Sequence, residues 1–158
     1  MKRSATCCAF AAALMMVPAG AAFAQQPYSK GLTLEMARKC IAAAEAEAKK
    51  NNWNQAIAVV VDGGYLMAFA RMDNTQIGSV RISIEKARAA NNFRRPTKAF
   101  ADRLAGGDTG VLGLPGAIPS EGGIPLMLDG KIIGAVGASG GTSAQDGQAS
   151  KACADMFK

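Results

Sequence analysis

The stretch that decides the fold is GGIPLMLDGKIIGAVGASGGTSAQD, which runs from Gly122 to Asp146. Within it, two apolar runs at 124–128 and 132–138 flank the dipeptide Asp129-Gly130. That dipeptide favours a type I′ turn, in which both central residues need positive φ, so the stretch predicts a β-hairpin. The glycine-rich residues 137–142 then lead into a predicted helix, and their free backbone amides are suited to holding an anion.

The segments before this hairpin repeat the same kinds of element. A β-branched run, the turn Asp62-Gly63-Gly64 and a returning apolar run predict a first hairpin, and apolar residues at helical spacing predict helices. Two hairpins make an antiparallel sheet, and helices must cover it because its strands are apolar on both faces. The predicted strands are 56–61, 65–71, 124–128 and 132–138, and the predicted helices are 33–50, 79–93, 97–104 and 143–157.

Three local features refine this prediction. On the helix at 79–93, an apolar side formed by Val80, Ile84 and Ala87 is expected to face the sheet. Ser143 and Asp146 have the spacing of a capping box at the start of the last helix. Residues 105–121 hold five glycines and two prolines, and a loop of that length in a compact domain favours a functional lid.

Residues 1–24 have the pattern of a secretory signal peptide. Lys2 and Arg3 precede an uncharged, largely apolar run, and Ala22-Phe23-Ala24 forms a cleavage site before Gln25. The mature chain, 25–158, is then long enough for one domain with a substantial core. We therefore expect a single periplasmic or secreted domain with no membrane span after cleavage.

Composition excludes several classes of function. The 18 basic residues fall to 16 without Lys2 and Arg3, against 12 acidic ones, and they form no basic stripe, so nucleic acid is not an expected partner. Histidine is absent from the whole sequence, which excludes histidine-based zinc sites, Ser-His catalysis and the usual proximal heme ligand. We predict no metal site. Cys40 and Cys153 are either a disulfide that staples the domain or two small buried residues, and the sequence leaves both open.

Lys86 is the charged residue that is hardest to place on a surface. Residues three and four positions away on its helix, among them Ile82 and Ala90, are small or apolar. Its amine either points into a cleft or reaches water over this stripe. Ser83 and Lys86 also spell the S-x-x-K motif of serine acyl enzymes, but the companion motifs are missing and we interpret the match as coincidence.

The arginines that follow this helix offer a second set of cations. Arg94 and Arg95 come just before Pro96, where a guanidinium can grip a carboxylate with two hydrogen bonds. A helix C-terminus also favours cations through its dipole, which explains one of the two without a ligand.

Several motifs together resemble the GlcG/HbpS group, also called heme-degrading-domain or DUF336-like proteins. The resemblance spans about 32–157 and is carried by VVDGGYLMAFARMD, EKARAA, RRPT, GGIPLMLDGKIIGAVGASGG and the following T-x-x-Q-D. It implies an α/β (α+β) profilin-like domain of three layers, with an antiparallel sheet of about five strands, assembled as a homo-oligomer. It also implies heme as a cofactor, and Lys86 matches the lysine of the family's helix motif.

These observations support one leading hypothesis and two alternatives. The first is an exported protein that binds heme or a similar carboxylated tetrapyrrole in a cleft that includes the 105–121 loop. The second is an isomerase- or lyase-type enzyme acting on a carboxylated metabolite with Lys86 as acid or base. The third is a structural accessory protein with a closed cleft. The predicted ligand-binding residues are Lys86, Arg95, Gly122, Gly123, Ser139, Gly140, Gly141 and Thr142.

Without histidine, the sequence offers only weaker iron ligands for such a heme. They are a cysteine, a serine or threonine hydroxyl, and the side chains of Met67, Met72, Met127, Tyr28 and Tyr65. We therefore expect heme to be held loosely or through its porphyrin, which disfavours catalytic heme degradation.

Overall fold

The computed structural model describes residues 31–157, so the predicted signal peptide and Tyr28 lie outside the described residues. The helices are α1, α2, α3 and α4, at Leu34–Lys50, Gly78–Phe93, Lys98–Ala105 and Ser143–Ala154. The strands are β1, β2, β3 and β4, at Ala56–Val61, Leu66–Arg71, Gly123–Leu128 and Lys131–Ser139. Short 3₁₀ helices follow at Thr109–Gly113 and Asp155–Phe157.

The four strands form one antiparallel sheet in the order β2-β1-β4-β3. The turn between β3 and β4 has φ of 50° at Asp129 and 73° at Gly130, as a type I′ turn requires. Each hairpin pairs its own two strands, and β1 and β4 pair in the centre. Both hairpin turns therefore lie at the same end of the sheet.

Helices cover both faces of this sheet, which gives the three layers expected. On one face, α1 and α4 pack over a core that includes Ile57, Val59 and Val136. On the other face, α2 packs with Ala87 and Ala90 against Val60 and Ala135. The structure joins α1 to α4 by a disulfide between Cys40 and Cys153, with the two Cα atoms 4.4 Å apart.

Two details of these layers differ from the expectations. The sheet described in residues 31–157 has four antiparallel strands, where the resemblance implied about five. On α2, Ala87 of the expected apolar side is buried, but Val80 and Ile84 are only half-buried, and the buried side also includes the polar residues Ser79, Ser83 and Lys86.

The reason for the second correction is the close approach of α2 to the sheet. A Cβ at Gly137 of β4 would collide with the Ser83 carbonyl oxygen, and a Cβ at Gly123 of β3 would collide with that of Lys86. The backbone of α2 therefore lies directly on these two glycines, and only small or flexible side chains fit between the helix and the sheet. Within the part of the chain that is described, none of the helices combines the length and apolarity that a membrane crossing needs.

Candidate functional site

A buried ion pair lies between α2 and α4. Lys86 Nζ donates to Asp146 Oδ2 over 2.8 Å, and the two residues are 2% and 3% exposed. The other carboxylate oxygen accepts hydrogen bonds from the Gly141 amide at 3.0 Å and from Gln55 Nε2 at 3.2 Å. Asp146 thus joins the middle of α2, the start of α4 and the first residue before β1.

Local capping explains why Asp146 points inward. The N-cap of α4 is Thr142, whose hydroxyl accepts from the Gln145 amide while the Gln145 side chain accepts from the Thr142 amide. The capping box therefore uses Thr142 and Gln145, and the predicted box of Ser143 and Asp146 was one residue late. Since Asp146 is not needed as a cap, its carboxylate is free to reach Lys86.

Gly122 has no side chain, and this pair occupies the space that a side chain there would fill. A Cβ at Gly122 would lie 2.9 Å from Lys86 Nζ, 2.9 Å from the Asp146 Cβ and 2.6 Å from the Ala138 carbonyl oxygen. Its φ of 131° also favours glycine. The ammonium group is thus enclosed by backbone and by its partner carboxylate.

The electrostatics of the pair combine two opposed effects. Burial raises the pKa of Asp146, while the hydrogen bond from Lys86, its positive charge and the neighbouring backbone amides act to lower that pKa. The lysine and the glycine-loop amide therefore do converge on one negative group. That group is a carboxylate of the chain itself.

The other predicted ligand residues also have partners within the chain. The Gly123 amide donates to Thr97 Oγ1 at 2.9 Å, and Ser139 Oγ donates to Ser79 Oγ at 3.3 Å. Gly140 packs against the Asn54 carbonyl. Whether any of these residues also contacts a ligand stays a prediction.

Arg95 lies at the surface, and the expected lid ends at Glu121, directly before Gly122 of the lysine's site. Arg95 is exposed, and its Nε donates to the Phe93 carbonyl at 3.1 Å. The 105–121 loop reaches the start of α4, where Ser120 Oγ lies 3.1 Å from Ser143 Oγ. The structure therefore brings Gly122 and Gly141 to the Lys86–Asp146 pair and leaves Arg95 at the surface.

A groove of about 600 Å³ lies at the end of the sheet that carries both hairpin turns. The turn at Asp62-Gly63 forms one side, and the end of α2 with Arg94 forms another. The β3–β4 hairpin closes it with Met127 and with residues 130–132, which include Lys131. Its volume is within the roughly 300–1,000 Å³ of small-molecule sites.

Arg94 enters this groove from an unusual backbone position. It follows α2 with φ of 54° and ψ of 39°, in the left-handed region. Asn52, Asn74 and Asp129 are the other non-glycine residues of 31–157 with positive φ, and Asn and Asp tolerate that region far better than arginine does. Strain of this kind is enriched at binding sites. Both Arg94 and Arg95 are candidates from the sequence, and the left-handed backbone that sets Arg94 apart leaves no signal there.

A second cavity of about 380 Å³ lies on the opposite face, between α1 and the edge strand β2. Its lining is largely apolar and includes Leu34, Ile41, Met67 and Phe69. Among residues 31–157, no three acidic or cysteine side chains cluster in a way that could hold a metal ion.

A family model described as "Haem degrading protein HbpS-like" matches residues 32–155. The chain belongs to this family. Protein GlcG of Escherichia coli K12 is 48% identical over 108 residues, which are 68% of this chain and 81% of GlcG. The family therefore covers nearly all of the described domain, including both hairpins and all four helices.

Two solved structures have the same fold. A double mutant of HbpS from Streptomyces reticuli superposes with a TM-score of 0.74 at 29% identity, covering 90% of this chain and 98% of HbpS. A complex of PduOC with heme superposes with a TM-score of 0.73, covering 80% of this chain and 94% of PduOC. At 22% identity, the second likeness shows the fold alone.

Proposed function

We propose that this HbpS-like chain is an exported homo-oligomer that binds heme or a similar carboxylated tetrapyrrole in the groove beside Arg94. The observation that carries the proposal is that Arg94 and Lys131 both line a groove of about 600 Å³. The family description and the heme complex of a protein with the same fold support this ligand class.

The two cations of the groove suit the two propionates of heme, and Asp62 is the one acidic residue among its lining residues. Arg94 presents a planar fork that can form two parallel hydrogen bonds to one carboxylate, and Lys131 supplies a second positive charge. Both side chains belong to exposed residues, so neither has to break a buried contact to bind. Lys86 differs in this respect, since it is enclosed and already paired with Asp146.

This difference also favours binding over acid–base catalysis. A general acid or base must come within hydrogen-bond reach of its substrate, and the Lys86 ammonium is enclosed by Gly122 and Asp146. The groove is wide and polar, and it carries no such buried titratable pair. We therefore assign Lys86 to the framework and the cations of the groove to the ligand.

Two further features support export and assembly. The Cys40–Cys153 disulfide suits an oxidising compartment, in agreement with the signal peptide read from residues 1–24. The edge strand β2 leaves Leu66 46% and Phe69 37% exposed, and an unpaired edge strand is a template for pairing with another chain.

Heme titration of the mature protein tests this proposal. Wild type should give a saturable Soret shift at about one heme per chain, and the Arg94→Ala/Lys131→Ala double variant should bind about tenfold or more weakly. Arg95→Ala/Lys98→Ala is the matched control, because it removes two neighbouring positive charges that do not line the groove. The absence of a saturable shift in wild type would refute heme binding. An equal loss in the control would refute the groove.

A further inference from the structure

We infer that β2 of a second copy of this chain pairs antiparallel with the free edge of β2, so that two four-stranded sheets join into one. The inference rests on the homo-oligomeric assembly proposed above and names the surface that makes it. The sheet order leaves β2 and β3 as the two edges. These edges differ in how far the chain itself covers them, and β2 is the open one.

The edge formed by β3 is protected by the chain. The Gly123 amide donates to Thr97 Oγ1, and the Gly123 carbonyl accepts from the Thr97 amide, each at 2.9 Å. Further along the strand, Pro125 has no N–H to offer. Covering segments and prolines are two of the ways in which proteins keep edge strands from pairing. The β3 edge is therefore a poor template for another strand.

The edge formed by β2 has neither protection. Within residues 31–157, the main-chain hydrogen bonds of β2 run to β1 alone. The strand, Leu66–Arg71, contains no proline, and its one charged residue is Arg71 at the end. The outer N–H and C=O groups of β2 are therefore available to pair with an added strand.

One face of β2 is apolar and uncovered. Leu66 pairs with Val60 and Phe69 pairs with Ala58, which places both on the face that α2 covers elsewhere. However, α2 packs mainly on β1, β4 and β3. Leu66 and Phe69 are consequently 46% and 37% exposed, and a neighbouring strand would cover them.

On the other face, the cavity of about 380 Å³ lies between α1 and β2. Four consecutive strand residues, 67–70, line it. Because successive strand residues point to opposite faces, a cavity bordered by four in a row runs along the edge of the strand. Leu34, Arg38 and Ile41 line it from one side of α1. Arg38 is exposed, so its guanidinium can stay in water beside an added strand.

These two faces together favour a strand over other occupants. A helix or a small ligand would cover one face and leave the outer main-chain groups unpaired, whereas an added strand pairs them and places side chains on both faces. A second β2 brings the same apolar residues to each face, and a two-fold axis satisfies both edges at once.

Charge favours the antiparallel direction. Asp62 in the turn before β2 and Arg71 at its end are both exposed. Antiparallel pairing brings the turn of one copy toward the strand end of the other, so that opposite charges approach, while parallel pairing would bring like ends together. Asp73 follows in the next turn, beyond the strand.

Sedimentation equilibrium of the mature protein tests the interface. Wild type should associate, and Phe69→Lys should raise the dissociation constant of the assembly about tenfold or more, because two like charges would meet close to the axis. Leu114→Lys is the matched control, since Leu114 is 36% exposed but belongs to the 105–121 loop, and it should associate like wild type. Mixing Phe69→Lys with Phe69→Glu should restore association.

Hydrogen exchange distinguishes strand pairing from side-chain packing. As the concentration of wild type rises, alternate amides of β2 should exchange more slowly, because every second N–H of an edge strand points to the added neighbour. Phe69→Lys should show no such slowing. Circular dichroism should show that all variants keep the wild-type fold.

The outcomes separate this inference from the proposal beneath it. If wild type associates and Phe69→Lys associates as strongly, the interface is wrong and the assembly stands. Association without slowed exchange in β2 would also overturn strand pairing. A wild type that stays monomeric would overturn both the interface and the assembly and leave the edge to a different partner, while the heme titration still decides ligand binding.

Discussion

Replacing Lys86 by methionine tests the buried pair most directly. The substitution keeps the length of the side chain but leaves the Asp146 carboxylate buried without its cation. Breaking a buried pair in this way costs about 3–5 kcal/mol in general. Because Asp146 keeps hydrogen bonds from Gly141 and Gln55, we expect a loss near 3 kcal/mol of unfolding free energy at pH 7.5.

The loss should depend on pH in a defined direction. Burial raises the pKa of Asp146 above the ordinary aspartate value of 3.8, and Lys86 opposes that rise. Without Lys86 the folded-state pKa of Asp146 should rise further. As the pH falls, the buried carboxyl then becomes protonated and neutral at a higher pH than in wild type. A raised folded pKa gives stability that is present below 3.8 and is lost as pH rises through the folded value. The deficit of Lys86→Met should therefore shrink toward pH 4.

Urea unfolding at pH 4 and pH 7.5, followed by the fluorescence of the single tryptophan Trp53, measures this deficit. Lys39→Met is the matched control, because Lys39 pairs with Glu35 at 2.7 Å but both side chains are mostly exposed. Such an exposed pair contributes little to stability, because solvent screens its charges. Equal losses in the two variants, or a deficit in Lys86→Met that does not change with pH, would refute the reasoning.

Three further predictions follow from the backbone and the disulfide. Gly122→Ala should lower the free energy of unfolding by about 3 kcal/mol, because its Cβ would press on Lys86 Nζ and on the backbone, and its φ is positive. Gly78→Ala is the control: it has open space around it and should be neutral or slightly stabilising in the same urea assay. Cys40→Ser/Cys153→Ser should lose about 4 kcal/mol, since the bridge closes a loop with a sequence separation of 113, and a reductant should then no longer change the unfolding midpoint. Arg94→Gly should raise the unfolding free energy by about 1 kcal/mol by relieving the left-handed arginine, while heme affinity falls. A midpoint that drops instead would show that the arginine is not strained.

The sequence predicts the local elements of this fold well, since their signals are local. Asp129-Gly130 predicts the turn of the second hairpin, and Thr33 is a local cap of α1, accepting a hydrogen bond from the Met36 amide at 3.2 Å. The family resemblance rests on these same stretches. The resemblance therefore predicts the architecture, and no long-range contact has to be inferred from the sequence.

The capping box shows where local reasoning becomes ambiguous. Thr142 with Gln145 and Ser143 with Asp146 have the same spacing, and each pair satisfies the pattern of a helix start. In the structure the Thr142–Gln145 box forms, and Asp146 pairs instead with Lys86, which lies 60 positions away. No periodicity within α4 carries that information.

The prediction of which side of α2 is buried was only partly correct, for a related reason. Hydrophobic periodicity assumes that the sheet beneath a helix is covered by side chains, but Gly123 and Gly137 let the backbone of α2 touch the strands. Apolar side chains such as Val80 are then displaced to the flanks, and serines occupy the contact. Glycines at positions without a turn are the one signal that could have predicted this packing.

The placement of charge along α2 connects its framework and binding parts. Lys86 lies in the middle of the helix and is fixed by Asp146, while Arg94 follows its end, eight residues or about 12 Å further along the axis. A buried pair gains little net stability over an apolar substitute, but it fixes one arrangement of the elements that carry it. We interpret the pair as holding α2 in register on β3 and β4, where Gly123 and Gly137 offer no side chains for interlocking. The position of Arg94 on the groove then depends on the same contacts that exclude Lys86 from it.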